Sequence, residues 1–484
     1  MVHAGEPRDA DDDAEDRVLP DEHEPTTDGG TDPSGVAGYL TVAERIARGQ
    51  ACRDRLARSK QGAWSPAADR ADPVTILQHQ AKHRIPDLVP LRYGRMAAAP
   101  FAFYRGAAAI MAADLAPTPD TGIRVQLCGD AHLMNFGGYA GPDRRLVFDV
   151  NDFDETLRGP WEWDVKRLAA SVAIATREVG GRAGDARRAT AAAARGYREK
   201  IRELAEMTDL DVWYSRIDVE NLAASIPPGA IHDTVEKVIE EARTRDHFRS
   251  LGRLTAVVDG RRRFVDEPPV IVHVPDVTTP AWIEHVDARY RRSLRDDRRE
   301  LFDRYRLVDI AHKVVGVGSV GLAAFVALYE GRDENDPLFL QVKEARESVL
   351  EQHLPKSRRQ NHAHRVVAGQ RLMQATSDIF LGWAIGRSGR HYYVRQLADM
   401  KWSYDLAHAT PEGLSLYVRL CGGALARAHA RSGDRIAIAA YLGGGDRFDE
   451  AMADFGEAYA HQNLADYRAF LDAIEKGRIS SRSV

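Results

Sequence analysis

The chain has 484 residues, 44% of them hydrophobic, with 72 acidic against 67 basic side chains and a formal net charge of -5. That is enough apolar material for a large core divided among two or three domains, and too little contiguous apolar sequence for a membrane span, which needs roughly 20 such residues. The amino terminus is acidic where a secretory signal is basic and then apolar, and Cys52, Cys128 and Cys421 are too scattered for a disulfide framework or a zinc cluster, so a cytoplasmic protein with reduced thiols is expected.

Residues 1–38 combine acids with turn formers ("DADDDAED", "DEHEPTTDGGTDPSG") and read as a disordered tail. Helical periodicity runs from Val42 to Ser59 and again through Pro100–Ala116. A strand, "IRVQL", follows; a second, "RRLVFDVNDFDE", ends in carboxylates. Helices are expected at "WDVKRLAASVAIATREV", "ARRATAAAARGYREKIRELAEM" and "DTVEKVIEEARTR", so residues 39–307 form a mainly helical region. The proline-rich "DEPPVIVHVPDVTTPAW" reads as an extended connector. Residues 308–403 change character, with β-rich runs "KVVGVGSVG", "FVALYEG", "PLFLQVKEA" and "RHYYVRQL"; residues 404–484 are helical again. There is no internal repeat. The basic runs "DGRRRF" and "RYRRSLRDDRRE" are short, and acids interrupt the second, so it reads as a solvated helix face and no nucleic-acid partner is expected.

The stretch "LCGDAHLMNFGG" carries the chemistry. Asp130 and Asn135 show the D-x-x-x-x-N spacing of a phosphotransferase loop, in which the acid positions the attacking hydroxyl and the amide oxygen binds magnesium. Asp152 in "NDFDE" follows at a strand end, where a carboxylate can bridge nucleotide phosphates through the metal. Asp149 and Asp154 are further ligands or ordinary strand-end acids.

The segments "GDAHLMN" and "VNDFDETLRGPWEWDVKRLAAS" resemble the signature of the aminoglycoside and choline kinase group. That resemblance implies ATP and Mg2+ as cofactors, Asp130 as catalytic acid, Asn135 and Asp152 as metal ligands, and Asp164 as an acid that braces the loop. His132 falls on the group's second histidine, and Cys128 stands where the group usually has histidine. Over nearly all its length after the tail, the chain is also similar to an uncharacterised bacterial family, number 2252 among the domains of unknown function. The order of motifs departs from a kinase. No glycine loop and lysine strand precede Gly129; "GVGSVG", with Gly316, Gly318, Ser319 and Gly321, and "LFLQVKEA", with Lys343, come after it. The expectation is therefore an α+β, protein-kinase-like, two-lobe fold in circular permutation, the helical catalytic lobe first and the β-rich nucleotide lobe second. The partner of Lys343 is open between Glu347 and Glu351, close in sequence, and Gln370, where the resemblance places the pairing helix.

Other readings stand beside this one. "GVGSVG" also suits a dinucleotide-binding turn or a surface loop, and "GDAHLMN" a plain turn. "GDAH" matches part of a two-metal phosphoesterase, whose other ligand blocks are missing from the chain. A degenerate kinase that binds nucleotide without transferring phosphate, and an adenylyl transferase on the same fold, are the remaining alternatives. The acceptor, a small molecule or a protein hydroxyl, is not specified by sequence.

Overall fold

The structure, a computed structural model, describes residues 40–482 apart from 245–246, 275–279, 315 and 398–399; the expected tail lies outside the described residues. The described residues open with five α-helices: α1 (Val42–Arg55), α2 (Pro73–Ala81), α3 (Val89–Ala97), α4 (Pro100–Arg105) and α5 (Ala108–Leu115). Their starts are written in the sequence: Thr41 and Glu44 form a reciprocal capping box on α1, and Asp72 caps α2 with Pro73 in its first turn. The single helix expected over Pro100–Ala116 is broken at Gly106, whose carbonyl accepts a hydrogen bond from Arg92 Nη2 at 2.8 Å.

Four strands follow, β1 (Arg124–Leu127), β2 (Phe136–Ala140), β3 (Leu146–Val150) and β4 (Leu157–Pro160), then the helices α6 (Trp161–Glu178), α7 (Ala183–Glu206) and α8 (Asp209–Tyr214), the short β5 (Ile217–Asp218), and α9 (Val219–Ser225) and α10 (Ala230–Thr244). β1 pairs with β4; β2, β3 and β5 make a second small sheet. After α11 (His247–Leu254) comes a hairpin of β6 (Thr255–Val258) and β7 (Arg261–Phe264), turning at Asp259-Gly260 with both residues at positive φ, the backbone that two-residue hairpins require. The basic run "DGRRRF" is thus half of a hairpin.

β8 (Ile271–His273), α12 (Pro280–Ser293) and α13 (Asp296–Phe302) lead into β9 (Arg306–Lys313), β10 (Ala324–Glu330) and β11 (Pro337–Ala345), then α14 (His362–Met373), β12 (Gly382–Ile385) and β13 (His391–Gln396). These strands form one six-stranded sheet in the order β12-β13-β11-β10-β9-β8, with every pair antiparallel. Part of the proline-rich connector is therefore an edge strand. Three helices close the chain: α15 (Pro411–Ala430), α16 (Arg435–Leu442) and α17 (Arg447–Glu475). The fold is α+β, and among the described residues no helix is long and apolar enough to cross a membrane.

α6 is buried from Trp161 to Thr176 and forms the axis of the main core, which α7, α15 and α17 complete. α7 and α15 touch backbone to backbone. A Cβ on Gly422 would stand 2.1 Å from the Ala193 carbonyl oxygen, and one on Gly196 would stand 2.3 Å from that of Arg419. Gly423, its neighbour, has nothing closer than 3.9 Å. Gly422→Ala is accordingly expected to lower the unfolding free energy by about 1–3 kcal/mol through overpacking. Gly423→Ala is expected to be neutral or to raise it by about 0.5–1 kcal/mol through helix propensity. Urea titration of the full chain checks the pair; equal effects would contradict the close approach.

Candidate active site

β1 delivers the loop Cys128–Asn135, and α6 holds it. Gly129 has φ +85°, and a Cβ there would stand 2.3 Å from the Glu155 carbonyl oxygen, so the turn requires glycine. The Asp164 carboxylate, in the first turn of α6, accepts from Cys128 N at 2.8 Å and Gly129 N at 3.0 Å. It is backed by His429 Nε2 at 3.2 Å, whose Nδ1 meets the Tyr197 hydroxyl at 2.9 Å. Asp164 is thus the expected brace, and His429 is a fully buried link in it. The Cys128 side chain is buried, and burial pushes its thiol far above the usual range.

One turn further along α6, Arg167 Nε donates to Asp130 Oδ1 at 2.8 Å, its Nη2 donates to the Tyr104 carbonyl at 2.8 Å, and its guanidinium lies 3.8 Å over the Tyr104 ring. Sequence reasoning missed Arg167, although it stands three residues from Asp164 and so shares its helix face. Asn135 Nδ2 donates to the Asp130 carbonyl at 2.8 Å, which leaves the amide oxygen for another ligand. His132 Nε2 is 3.8 Å from Asp130 Oδ2; burial pushes its pKa down to about 3, so the imidazole is neutral.

β3 carries the acids. Asp149 is fully buried, with both oxygens 2.8 Å from Arg427 Nη2 and one accepting from Ala375 N. It is a structural acid, not a ligand. Asp152 accepts from Asp154 N at 3.2 Å in a local turn. Asp154 receives Lys343 Nζ at 2.8 Å, the Tyr393 hydroxyl at 2.6 Å and the Ser319 hydroxyl at 3.4 Å. Burial opposes the Lys343 ammonium, but Asp154, Tyr393 and Asp152 outweigh it and hold its pKa above the usual lysine value.

This corrects the expected partners of Lys343. Gln370 is buried on α14 and donates to Gln374 instead; Glu347 pairs with Lys356 at 2.8 Å; Glu351 completes a capping box with Ser348, 3.7 Å from Arg365. The lysine faces the acid turn as expected, yet its carboxylate is Asp154 and not Asp152.

The glycine run joins β9 to β10, two antiparallel strands, with no helix after Gly321; this is not the strand-to-helix turn of a dinucleotide site. The strand expected to run into the glycines ends at Lys313. Gly316 and Gly321 are at positive φ, and the loop is tied to the amino-terminal helices by Arg95 to Gly316 O (2.6 Å), Arg84 to Val320 O (2.5 Å) and Ile85 N to Gly321 O (2.7 Å). One cavity of about 120 Å³ is lined by Asp130, His132, Asn135, Asp152, Asp154, Gly316, Gly318, Ser319 and Glu347, together with Arg84, Arg92 and Arg105. Among the described residues no cluster of three or more His, Cys, Asp or Glu is set for a metal. Asn135 and Asp152 suit magnesium, which takes one or two protein oxygens and completes its shell with water and phosphate.

The sequence signature of a family described as an uncharacterised protein conserved in bacteria, DUF2252, matches residues 84–473. The chain belongs to DUF2252. The DUF2252 match begins at Arg84 and spans both acid loops, the glycine run, Lys343 and most of α17. No curated protein and no solved structure matches the chain.

Glu155, next in the acid turn, accepts from Val349 N at 2.7 Å, and burial raises its pKa from 4.5 to about 7. A raised folded pKa means that the associated stability is fully present below 4.5 and drains as pH climbs to about 7. Relative to Glu155→Gln, which keeps the acceptor, the wild type is expected to lose about 2–3 kcal/mol across that window. Urea unfolding at intervals of pH measures the difference; a pH-independent gap would contradict it.

Proposed function

We propose that this DUF2252 protein is an ATP- and Mg-dependent phosphotransferase of the kinase-like type, acting on a hydroxyl acceptor, with its catalytic half preceding its nucleotide-binding half. One observation carries the reading: the glycine loop, Asp130, Asn135 and Asp152 line the same cavity, although Ser319 and Asp154 are 165 positions apart. Each motif set is incomplete alone. Together they supply a phosphate loop, a lysine, metal-binding oxygens and a catalytic acid, the parts that phosphoryl transfer uses.

The sheet supports the same reading. Strand, glycine loop, strand, lysine strand, helix and two further strands succeed one another from β9 to β13, the order expected of a kinase nucleotide lobe, and Trp402 then pairs with Gly138 beside the catalytic loop. In the proposed reaction Arg167 fixes one oxygen of Asp130, so that the other can align the acceptor hydroxyl and take its proton. Asn135 and Asp152 would hold magnesium, which when bound neutralises charge on the phosphates. A cavity of about 120 Å³ is smaller than a nucleotide pocket, so the glycine loop must lift from Arg84 and Arg95 to admit ATP. Lys343 without a helix acid favours one second reading, a nucleotide-binding regulatory module that transfers nothing.

Incubation with γ-labelled and, separately, α-labelled ATP against metabolites and lysate separates the alternatives. Transfer from γ alone is expected; transfer from α means adenylyl transfer, and none from either favours the regulatory module. Asp130→Asn is expected to abolish transfer while nucleotide affinity stays within about threefold. Asp152→Ala is expected to abolish the magnesium-dependent part of ATP binding, read by thermal shift. Unchanged turnover in the first, or an unchanged Mg-ATP response in the second, would contradict the assignment.

A further inference from the structure

Three arginines from the helices that precede the catalytic loop end in the cavity: Arg84 after α2, Arg92 on α3 and Arg105 at the end of α4. Arg92 is 1% exposed; its Nη2 donates to Gly106 O at 2.8 Å and to Gln80 Oε1 at 3.5 Å, while its Nε and Nη1 are buried without an acceptor. Arg105 Nε is buried without an acceptor too. Arg84 reaches only the Val320 carbonyl. Among the described residues no carboxylate lies within ion-pair distance of any of the three.

Four of the acids around them are engaged by other cations: Asp130 pairs with Arg167, Asp154 with Lys343, Glu344 with Arg346 and Glu347 with Lys356. Asp152 and Glu155 also line the cavity; they accept from Asp154 N and Val349 N and act on Arg105 and Arg84 from beyond ion-pair distance. Burial lowers the pKa of Arg84 to about 10 and depresses those of Arg92 and Arg105, and Arg84 and Arg92 repel each other. A guanidinium keeps its proton under such conditions, so a buried cluster of this kind is completed by an anion.

We propose that Arg84, Arg92 and Arg105 form a subsite for a phosphate group carried by the acceptor, so that the molecule whose hydroxyl meets Asp130 is itself a phosphate ester. This rests on the phosphotransferase reading. Three guanidiniums, one from the turn after α2 and one each from α3 and α4, suit a tetrahedral dianion, whereas a carboxylate is matched by one planar fork. With the glycine loop closed, the cavity, about 120 Å³, takes one such group. The arginines share it with the glycine loop; they are placed on the acceptor side because Asp130 is the foremost opposite charge acting on Arg105, and because Lys343, the lysine assigned to the nucleotide, is held on Asp154 and does not line the part that the arginines occupy.

The test is calorimetric titration of the full chain with inorganic phosphate at constant ionic strength, with and without a saturating non-hydrolysable Mg-ATP analogue; acetate and choline are the controls. Phosphate is expected to bind in both conditions, and Arg92→Met and Arg105→Gln to weaken it roughly tenfold or more. Their affinity for the Mg-ATP analogue is expected to stay within about threefold of wild type. Arg105→Gln guards against misfolding, because the Arg105 side chain forms no hydrogen bond among the described residues. Absence of phosphate binding, competition between phosphate and the analogue, or equal binding of acetate or choline would each overturn the proposal. Arginine-dependent phosphate binding by a protein that never binds the analogue would defeat the phosphotransferase reading and leave the anion site standing.

Discussion

The ion pair between Lys343 and Asp154 fastens the two halves of the cleft. It joins the third strand of a hairpin-built sheet to a turn formed 189 positions earlier, and Tyr393 shares the same carboxylate from the adjacent strand. The sheet half also grips the backbone of that turn. Arg395 donates to Asn151 O, Arg365 to Asp154 O and Thr156 O, and Ser348 to Glu155 O. Breaking a buried pair by removing one partner typically costs about 3–5 kcal/mol, because the other charge is left without compensation. The position of the glycine loop over Asp130 and Asp152 follows from this attachment, since β9, β10 and β11 move as one sheet.

Charge in the cleft comes from three parts of the chain. Acids come from the turns after β1 and β3, Glu344, Arg346 and Glu347 from the end of β11 and the loop after it, and three arginines from the segment between the end of α2 and the end of α4; the neutral His132 lies among them. The amino-terminal segments thus do two things: they tie down the glycine loop through Arg84, Ile85 and Arg95, and they bring cationic groups into the cavity that Asp130 lines. A ligand entering from the glycine-loop side must break contacts that the helices make. Opening and binding are linked by that geometry.

Local signals were legible in the sequence and long-range ones were not. The turn at Gly129 and the lysine near the end of its strand rest on patterns within one or two elements; the brace at Asp164 comes from the family resemblance, and its carboxylate accepts from Cys128 N and Gly129 N. Asp149 stays open in sequence between a further ligand and an ordinary strand-end acid because nothing nearby reveals Arg427, 278 positions away. Lys343 has three plausible partners, Glu347 and Glu351 close in sequence and Gln370 on α14, and pairs with none of them, because the sheet brings Asp154 closer. No period links Arg84, Arg92 and Arg105, which line one cavity only through the packing of separate segments. Two omissions were avoidable. The Asp259-Gly260 pair between apolar and basic runs is a hairpin signal, and "VIVH" is a β-branched run of the kind that strands favour.

On the proposed reading, segments far apart in the chain form one nucleotide site. Hydrogen-deuterium exchange with and without Mg-ATP tests this most directly. Protection on nucleotide addition is expected in three stretches at once, around Gly129–Asn135, Asn151–Glu155 and Gly316–Gly321. Protection confined to the glycine run, or to the acid loops alone, would contradict it.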